Sequence, residues 1–177
     1  MALDIPEIIE TERLILQRLK YEDAEEIFYT YASKPEATRF VSWPTHESIR
    51  DTRNFLNYAV SAWRSGADFS FGARLKKDGR LIGSIGIIDD DGKVQFGYIL
   101  SPTQWNQGYA TEMCKAVIAI LKRQSFVHRV WTLVDAENVA SARVLQKSGL
   151  VEEARLQKWY RFVNQGNRPK DCIIFRL

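Results

Sequence analysis

The sequence predicts a mixed α/β fold, with a mostly antiparallel central sheet and helices on both faces. Three observations predict it. Asp78-Gly79 and Asp91-Gly92 separate short apolar runs in the manner of tight hairpin turns. Segments with apolar residues at helical spacing lie before and after those runs. One such segment joins two strand-like runs as a strand–helix–strand crossover.

Each element follows from its own pattern. Arg13–Leu19 alternates Leu14 and Leu16 with Arg13 and Gln17, which reads as a half-buried strand. Glu22–Ser33 places Ala24, Ile27, Phe28 and Tyr31 at helical spacing, and Pro35 stops it. Thr45 is the expected N-cap of a helix to about Ser65, with Ile49, Leu56, Val60 and Trp63 on one face and Gly66 at its end. Phe69, Phe71, Ala73 and Leu75 share one face of a strand; Leu81–Ile88, apolar on both faces, reads as a central strand, and Val94–Leu100 follows. The loop Gln104–Ala110 feeds a helix from Gly108 to about Ser125, striped by Ala110, Met113, Val117, Ile120 and Leu121. Arg129–Val134 is a strand, and Asn138–Ser148 a short helix closed by Gly149. Strands Val151–Val163 and Asp171–Leu177 flank a turn at Asn164–Asn167. The expected order is β-α-α-β-β-β-α-β-α-β-β, in one domain spanning residues 1–177.

Composition narrows the function classes. With 45% apolar and 27% charged residues the chain can bury a core, which excludes a disordered segment. The net charge of +3 is spread along the chain, and basic runs such as Arg74-Leu75-Lys76-Lys77 and Lys122-Arg123 are short. No nucleic-acid partner is expected, whereas an anionic small ligand would suit the balance. Cys114 and Cys172 match no metal or redox spacing and read as small core residues of a protein in a reducing compartment. No signal peptide and no run of ~20 apolar residues is present, so a cytoplasmic protein without membrane contact is expected.

Chemistry concentrates in Trp105-Asn106-Gln107-Gly108-Tyr109-Ala110-Thr111-Glu112, where a strand end passes into an amphipathic helix. A helix start presents free N–H groups and the positive end of the helix dipole, which suits a phosphate. Gly108 permits close backbone approach there; a plain strand–loop–helix joint explains the same residues equally well. Upstream, Gly97 interrupts the strand Val94–Leu100 and is expected to mark a bulge, where bared backbone groups would pair with an extended amide ligand. Downstream, Asn138 is the natural N-cap of the helix carrying Ser141.

Together these windows resemble the GNAT superfamily of N-acetyltransferases, in the branch of the Rim-type, ribosomal-protein N-terminal acetyltransferases. The resemblance covers nearly the whole chain. It runs from Thr11-Glu12-Arg13-Leu14-Ile15-Leu16 through Phe96-Gly97-Tyr98-Ile99-Leu100, the Trp105–Glu112 window and Asn138–Gly149 to Asn164-Gln165-Gly166 and Lys170-Asp171. It implies an acetyl-CoA-dependent transferase acting on a primary amine, a small molecule or a protein N-terminus, without a metal. By the same likeness Gln107, Gly108, Tyr109, Ala110 and Thr111 would hold the pyrophosphate. Tyr98, Ile99 and Leu100 would pair with the pantetheine amides, Asn138 would contact the pantetheine arm, and Ser141 would lie by the sulfur.

Two positions depart from the family. Gln95 stands where many relatives carry a Glu that takes the amine proton through water; an amide can orient that water but is no base. Leu145 stands where many carry a Tyr that protonates the thiolate, which leaves Ser141 as the acid. Other carboxylates and imidazoles to consider as bases are Glu137, Asp89, Asp90, Glu10 and His46. A backbone N–H near Ile99 is the expected oxyanion donor, and neither cysteine has a His partner that would favour a covalent intermediate. Arg39–Pro44 and Asn164–Asn167 are expected to face the acceptor, with Trp43 and Tyr160 lining its pocket. A non-catalytic acetyl-CoA-binding module is the alternative that Gln95 leaves open. Monomer and homodimer are both compatible with the sequence.

Overall fold

The computed structural model describes residues 3–177. Its strands are β1 (Ile8–Glu10), β2 (Leu14–Arg18), β3 (Asp68–Leu75), β4 (Leu81–Asp90), β5 (Lys93–Leu100), β6 (Arg129–Asp135), β7 (Val151–Arg161) and β8 (Pro169–Arg176). They form one eight-stranded sheet in the order β1-β2-β3-β4-β5-β6-β8-β7. Every neighbouring pair is antiparallel except β5 and β6, which run parallel and are joined by a helical crossover.

Helices α1 (Ala24–Ile27), α2 (Pro35–Thr38) and α3 (Ile49–Ser65) lie between β2 and β3 in the chain; α4 (Tyr109–Leu121) and α5 (Val139–Lys147) flank β6. The stripe expected of α4 is the one it buries. Met113, Cys114, Val117 and Leu121 pack with Phe71, Ile85, Ile87, Val94 and Phe96 from one face of the sheet. On the other face Leu19, Leu81 and Ile99 meet Ala24, Ile27, Tyr31 and Leu56. Alternate strand residues therefore feed two cores, as the period of a strand requires. Both cysteines are buried, as their apolar settings imply.

The structure corrects the expected elements in four places. Strand β1 is short and pairs Ile8 with Gln17; three residues carry too little alternation to be read. The helix expected over Glu22–Ser33 is interrupted after α1, where Ser33 N–H donates to the Phe28 carbonyl five residues back, at 3.1 Å, in a π turn. The third helix is capped by Ser48, whose N–H donates to Asp51 Oδ2 at 2.9 Å, rather than by Thr45. Thr45 is otherwise engaged, its N–H donating to Asn164 Oδ1 at 3.0 Å.

The fourth correction concerns Gly97. Pairing of β4 with β5 runs without a register shift from Gly83↔Leu100 to Asp90↔Lys93, so Gly97 marks no bulge. The glycine that matters for backbone approach is Gly83, where a Cβ would lie 2.2 Å from the Ile99 carbonyl oxygen and 3.0 Å from the Leu100 Cα. Backbone cannot yield as a flexible side-chain end does. Gly83→Ala is therefore expected to cost about 1–3 kcal/mol, as overpacking does. Its melting temperature should fall by about 2–4 °C for each kcal/mol. An unchanged melt would mean that the two strands are not held this tightly.

Candidate active site

The parallel strands β5 and β6 are paired over Lys93↔Arg129, Val94↔Val130 and Gln95↔Trp131, and then part. Beyond Trp131, β6 stays with β8 as far as Asp135↔Cys172, while β5 stays with β4 as far as Leu100↔Gly83. A wedge opens between them. Ser101 N–H donates to the Ile82 carbonyl at 2.8 Å. Alternation along an antiparallel ladder then turns the backbone groups of Gly97 and Ile99 toward β4, and those of Tyr98 and Leu100 into the wedge. The N–H available for an oxyanion is thus that of Tyr98 or Leu100, not of Ile99. Trp105 Nε1 donates to the Leu100 carbonyl at 3.2 Å and closes the upper end.

The N-terminus of α4 borders this wedge. Gly108 is its N-cap with φ 81°, and Asn106 before it has φ 59°. Two left-handed residues turn the chain sharply into the helix, and no side chain caps it. The N–H groups of Tyr109, Ala110 and Thr111 are left open, an arrangement that suits an anion. A clamp to β2 fixes the loop. Glu112 accepts from Thr11 Oγ1 at 2.6 Å and from Arg13 N at 2.8 Å on one oxygen, and from Arg13 Nε at 2.7 Å on the other. Arg13 Nη1 also donates to the Gln107 carbonyl at 2.9 Å, and its guanidinium lies 4.3 Å from the centre of the Tyr109 ring. Burial pushes the Glu112 carboxyl up, but the bonds from Thr11 and Arg13 outweigh it and hold the group below its ordinary range.

Helix α5 supplies the opposite wall. Asn138 caps it by accepting from Ser141 N at 3.2 Å. The Ser141 hydroxyl lies 3.0 Å from the Tyr98 hydroxyl, so a side-chain bridge joins β5 to α5. Burial, with nearby Cys114 adding to it, raises the Tyr98 phenol above its ordinary range against the Ser141 bond, so the phenol stays protonated.

Gln95 lies on the sheet face opposite α4, in register with Ile88 and Trp131. Among the described residues the Trp131 indole Nε1 is buried without a hydrogen-bond partner, so an unused donor sits beside Gln95 on the neighbouring strand. Gly97, two residues along the same face, has open space where a Cβ would be.

On that face a cavity of about 530 Å³ lies between α2 and the β7–β8 turn, lined by Arg39, Glu137, Gln165, Arg168 and Lys170 among others. Asn164 ties its walls together, donating to the carbonyls of Thr38 at 2.7 Å and Trp43 at 3.0 Å. Gln165 Nε2 donates to buried Asp135 at 2.8 Å and anchors the turn to the end of β6. The two segments expected to face an acceptor are therefore brought together. Their aromatics are turned to packing: Trp43 lies 5.1 Å from His46 and against the second core, and Tyr160 packs edge-on upon Phe162 at 4.8 Å.

A family model described as an acetyltransferase (GNAT) domain matches residues 13–151. The chain belongs to the GNAT family. It is an acetyl-CoA-dependent acyltransferase. The uncharacterized N-acetyltransferase YoaA of Bacillus subtilis (strain 168) is 27% identical over 173 residues, 96% of each chain. A GNAT-family acetyltransferase from Bacillus anthracis superposes with a TM-score of 0.84 at 25% identity, over 96% of this chain and 97% of that one. RimL, a ribosomal L7/L12 α-N-protein acetyltransferase solved in complex with coenzyme A, gives 0.86 at 15% identity over 97% of both chains, a likeness of fold.

Within this GNAT chain, Leu145 is 1% exposed and belongs to the core, so that position offers no acid. The other carboxylates and the imidazole considered as bases are occupied. Glu10 pairs with Lys76, Asp90 with Lys93 and Glu137 with Lys170; Asp89 accepts from Gly92 N, and His46 Nδ1 lies 2.8 Å from Thr52 Oγ1. Sequence reading missed the Arg13–Glu112 clamp, the Tyr98 hydroxyl, Trp131 and Asp68. Asp68 is buried at the start of β3, where it accepts from Ser70 Oγ at 2.9 Å and Tyr58 OH at 3.2 Å. Its one legible signal was a charged residue opening a strand whose other face is wholly apolar, with Ser70, Gly72 and Arg74 at alternate positions on its own face.

Gly108→Val is expected to lower coenzyme A affinity at least tenfold while the protein stays folded. The left-handed backbone and Arg13 Nη2, 3.3 Å from any Cβ there, would force the loop to shift, at a stability cost of about 1–2 kcal/mol. Titration calorimetry showing native affinity in the folded variant would place the anion site elsewhere.

Proposed function

We propose that the chain moves the acetyl group of acetyl-CoA to a primary amine by direct attack in a ternary complex, in the cytoplasm. The observation that carries this reading is the wedge between β5 and β6, flanked by the uncapped start of α4 and by Ser141. In this reading the pyrophosphate lies against the N–H groups of Gln107–Thr111. The pantetheine amides pair with the backbone of Tyr98–Leu100, and Asn138 meets the arm. The sulfur ends beside Ser141.

The chemistry then follows from the groups at hand. The amine nitrogen attacks the thioester carbon, and the oxyanion is stabilised by a wedge-facing N–H of Tyr98 or Leu100. The C–S bond breaks, and the thiolate takes a hydrogen bond from Ser141, which Tyr98 OH can in turn support. Gln95 orients the water that receives the amine proton. Covalent catalysis through sulfur is disfavoured. Burial pushes both thiols up, Cys114 to about 12 and Cys172 to about 11, so neither supplies a thiolate near neutral pH.

The acceptor approaches on the face opposite α4, by way of the cavity between α2 and the β7–β8 turn. Arg39, Arg168 and Lys170 there face the single carboxylate of Glu137. That balance favours an amine with an anionic group nearby, on a small molecule or at a protein N-terminus, over a polyamine. No helix among the described residues is long and apolar enough to cross a membrane, which is compatible with the cytoplasmic reading.

Incubation with acetyl-CoA and an amine panel, followed by mass spectrometry and thiol release, tests this reading. The panel should hold amino acids, phosphoethanolamine, spermidine and short peptides. Acetylated amine and free coenzyme A should appear in equal amounts. Ser141→Ala should lower kcat by about 10²-fold, the low end for a positioned proton donor, with little change in KM for acetyl-CoA. No acetylation of any amine, or a Ser141→Ala rate equal to wild type, would contradict respectively the transfer and the role of the serine.

A further inference from the structure

Gln95 leaves the amine proton without a final acceptor. Among the described residues two buried carboxylates on the face opposite α4, Asp68 and Asp135, form no ion pair. Asp135 is already engaged by Gln165 Nε2 and the Glu137 N–H, which leaves Asp68. Strand register puts Asp68 opposite Ile88, and Ile88 opposite Gln95. The adjacent row across the same three strands is Ser70, Gly86 and Gly97. Two of its three members have no side chain. A Cβ on Gly97 would meet nothing within 4 Å, and one on Gly86 would lie 3.9 Å from Asp68 Oδ1 and 3.5 Å from Ser70 Oγ. A side-chain-free trough thus crosses β4 from the Asp68–Ser70 pair to the edge of the wedge. It spans two strand spacings, about 10 Å. Ile88, 47% exposed, forms one bank, and Tyr31, whose hydroxyl donates to Ser84 at 2.9 Å, roofs the other.

We propose that Asp68 is the terminal proton acceptor for the attacking amine, reached through water in the Gly86–Gly97 trough. The proposal rests on the transfer reading above. The balance is simple. A water at Gln95 takes the N–H proton as the C–N bond forms, and that water or its neighbour passes a proton to an Asp68 oxygen. The resulting acid releases it to solvent beside Tyr58, which is 55% exposed. With hydrogen-bond steps of about 2.8 Å, two or three waters bridge the distance.

The environment of Asp68 fits that task. Burial raises its carboxyl above the ordinary range against the bonds from Ser70 and Tyr58, which brings it closer to the pH at which it must take up and release a proton. The groups facing it are Tyr58 from α3, Ser70 from its own strand, and Gly86 and Ile88 from β4; Tyr58 is the titratable one, and no charge contributes to the shift. A carboxyl raised in the fold lowers stability as pH climbs from the unfolded value through the folded one.

The test uses the full-chain enzyme with the fastest-acetylated amine of the panel. Asp68→Asn keeps the shape. One of the two hydroxyls that donate to Oδ1 and Oδ2 still donates to the amide oxygen and the other accepts from its NH2, so the variant should melt no lower than wild type at neutral pH. Its kcat should fall about 100-fold with KM for acetyl-CoA unchanged, and the acid limb of its pH profile should collapse onto the ionisation of the amine. Tyr58→Phe, which removes only the hydrogen bond, should keep activity within a few-fold and move the acid limb upward. Gly86→Ala, which the space admits, should reproduce much of the loss by displacing water. In the double variant with Asp68→Asn it should add nothing further. An Asp68→Asn enzyme within threefold of wild type, or an unchanged acid limb, overturns the proposal while leaving the transfer reading intact. A wild-type enzyme that binds coenzyme A but acetylates no amine overturns both.

Discussion

A sheet normally satisfies each backbone group with a neighbouring strand, and an unpaired N–H or carbonyl inside a protein is costly. Here two adjacent strands begin as a parallel pair and abandon one another after Gln95 and Trp131. The ladder edge bared on β5 lies in the middle of the sheet, where it cannot recruit a further strand. An extended chain of amides is the ligand that such an edge accommodates. Every other part of the site is placed by that parting. Helix α4 starts at the far end of the bared edge, α5 begins where β6 ends, and the opposite face of the sheet is left open at Gly97.

Several contacts hold the strands in this arrangement. Tight approach at Gly83 keeps β5 against β4 as β6 leaves. The clamp of Glu112 by Thr11 and Arg13 ties the α4 loop to the start of β2. Asn164, bonded to Thr38, Thr45 and Trp43, draws the β7–β8 turn over the face opposite α4. The bridge between Tyr98 and Ser141 spans the wedge itself, so a cofactor arm entering there would lie along a preformed pair of hydroxyl groups.

Much of the fold was legible because its signals are local. Asp-Gly turns, the alternation of Phe69 to Leu75, the stripe of α4 and the glycines closing α3 and α5 each announce themselves within a dozen residues. The uncapped start of α4 was legible for the same reason, through Gly108 before an amphipathic run. What stayed hidden depends on distance or register. Arg13 and Glu112 lie 99 residues apart, and Tyr98 and Ser141 lie 43 apart. Gly97 drew attention as a strand interruption, yet the structure shows it unbulged and beside Gly86 in a row that only strand pairing defines. Thr45 had the right chemistry for a cap and was diverted by Asn164, a partner 119 residues away.

The parting of β5 from β6 can be observed directly by amide hydrogen exchange with and without coenzyme A. Tyr98 and Leu100 face the wedge, whereas Gly97 and Ile99 face β4, so neighbouring residues of one strand should respond differently. The account predicts that Tyr98 and Leu100 amides exchange faster than those of Gly97 and Ile99 in the free protein, and slow markedly when coenzyme A is bound. Saturating coenzyme A that leaves the Tyr98 and Leu100 amides unchanged would contradict it.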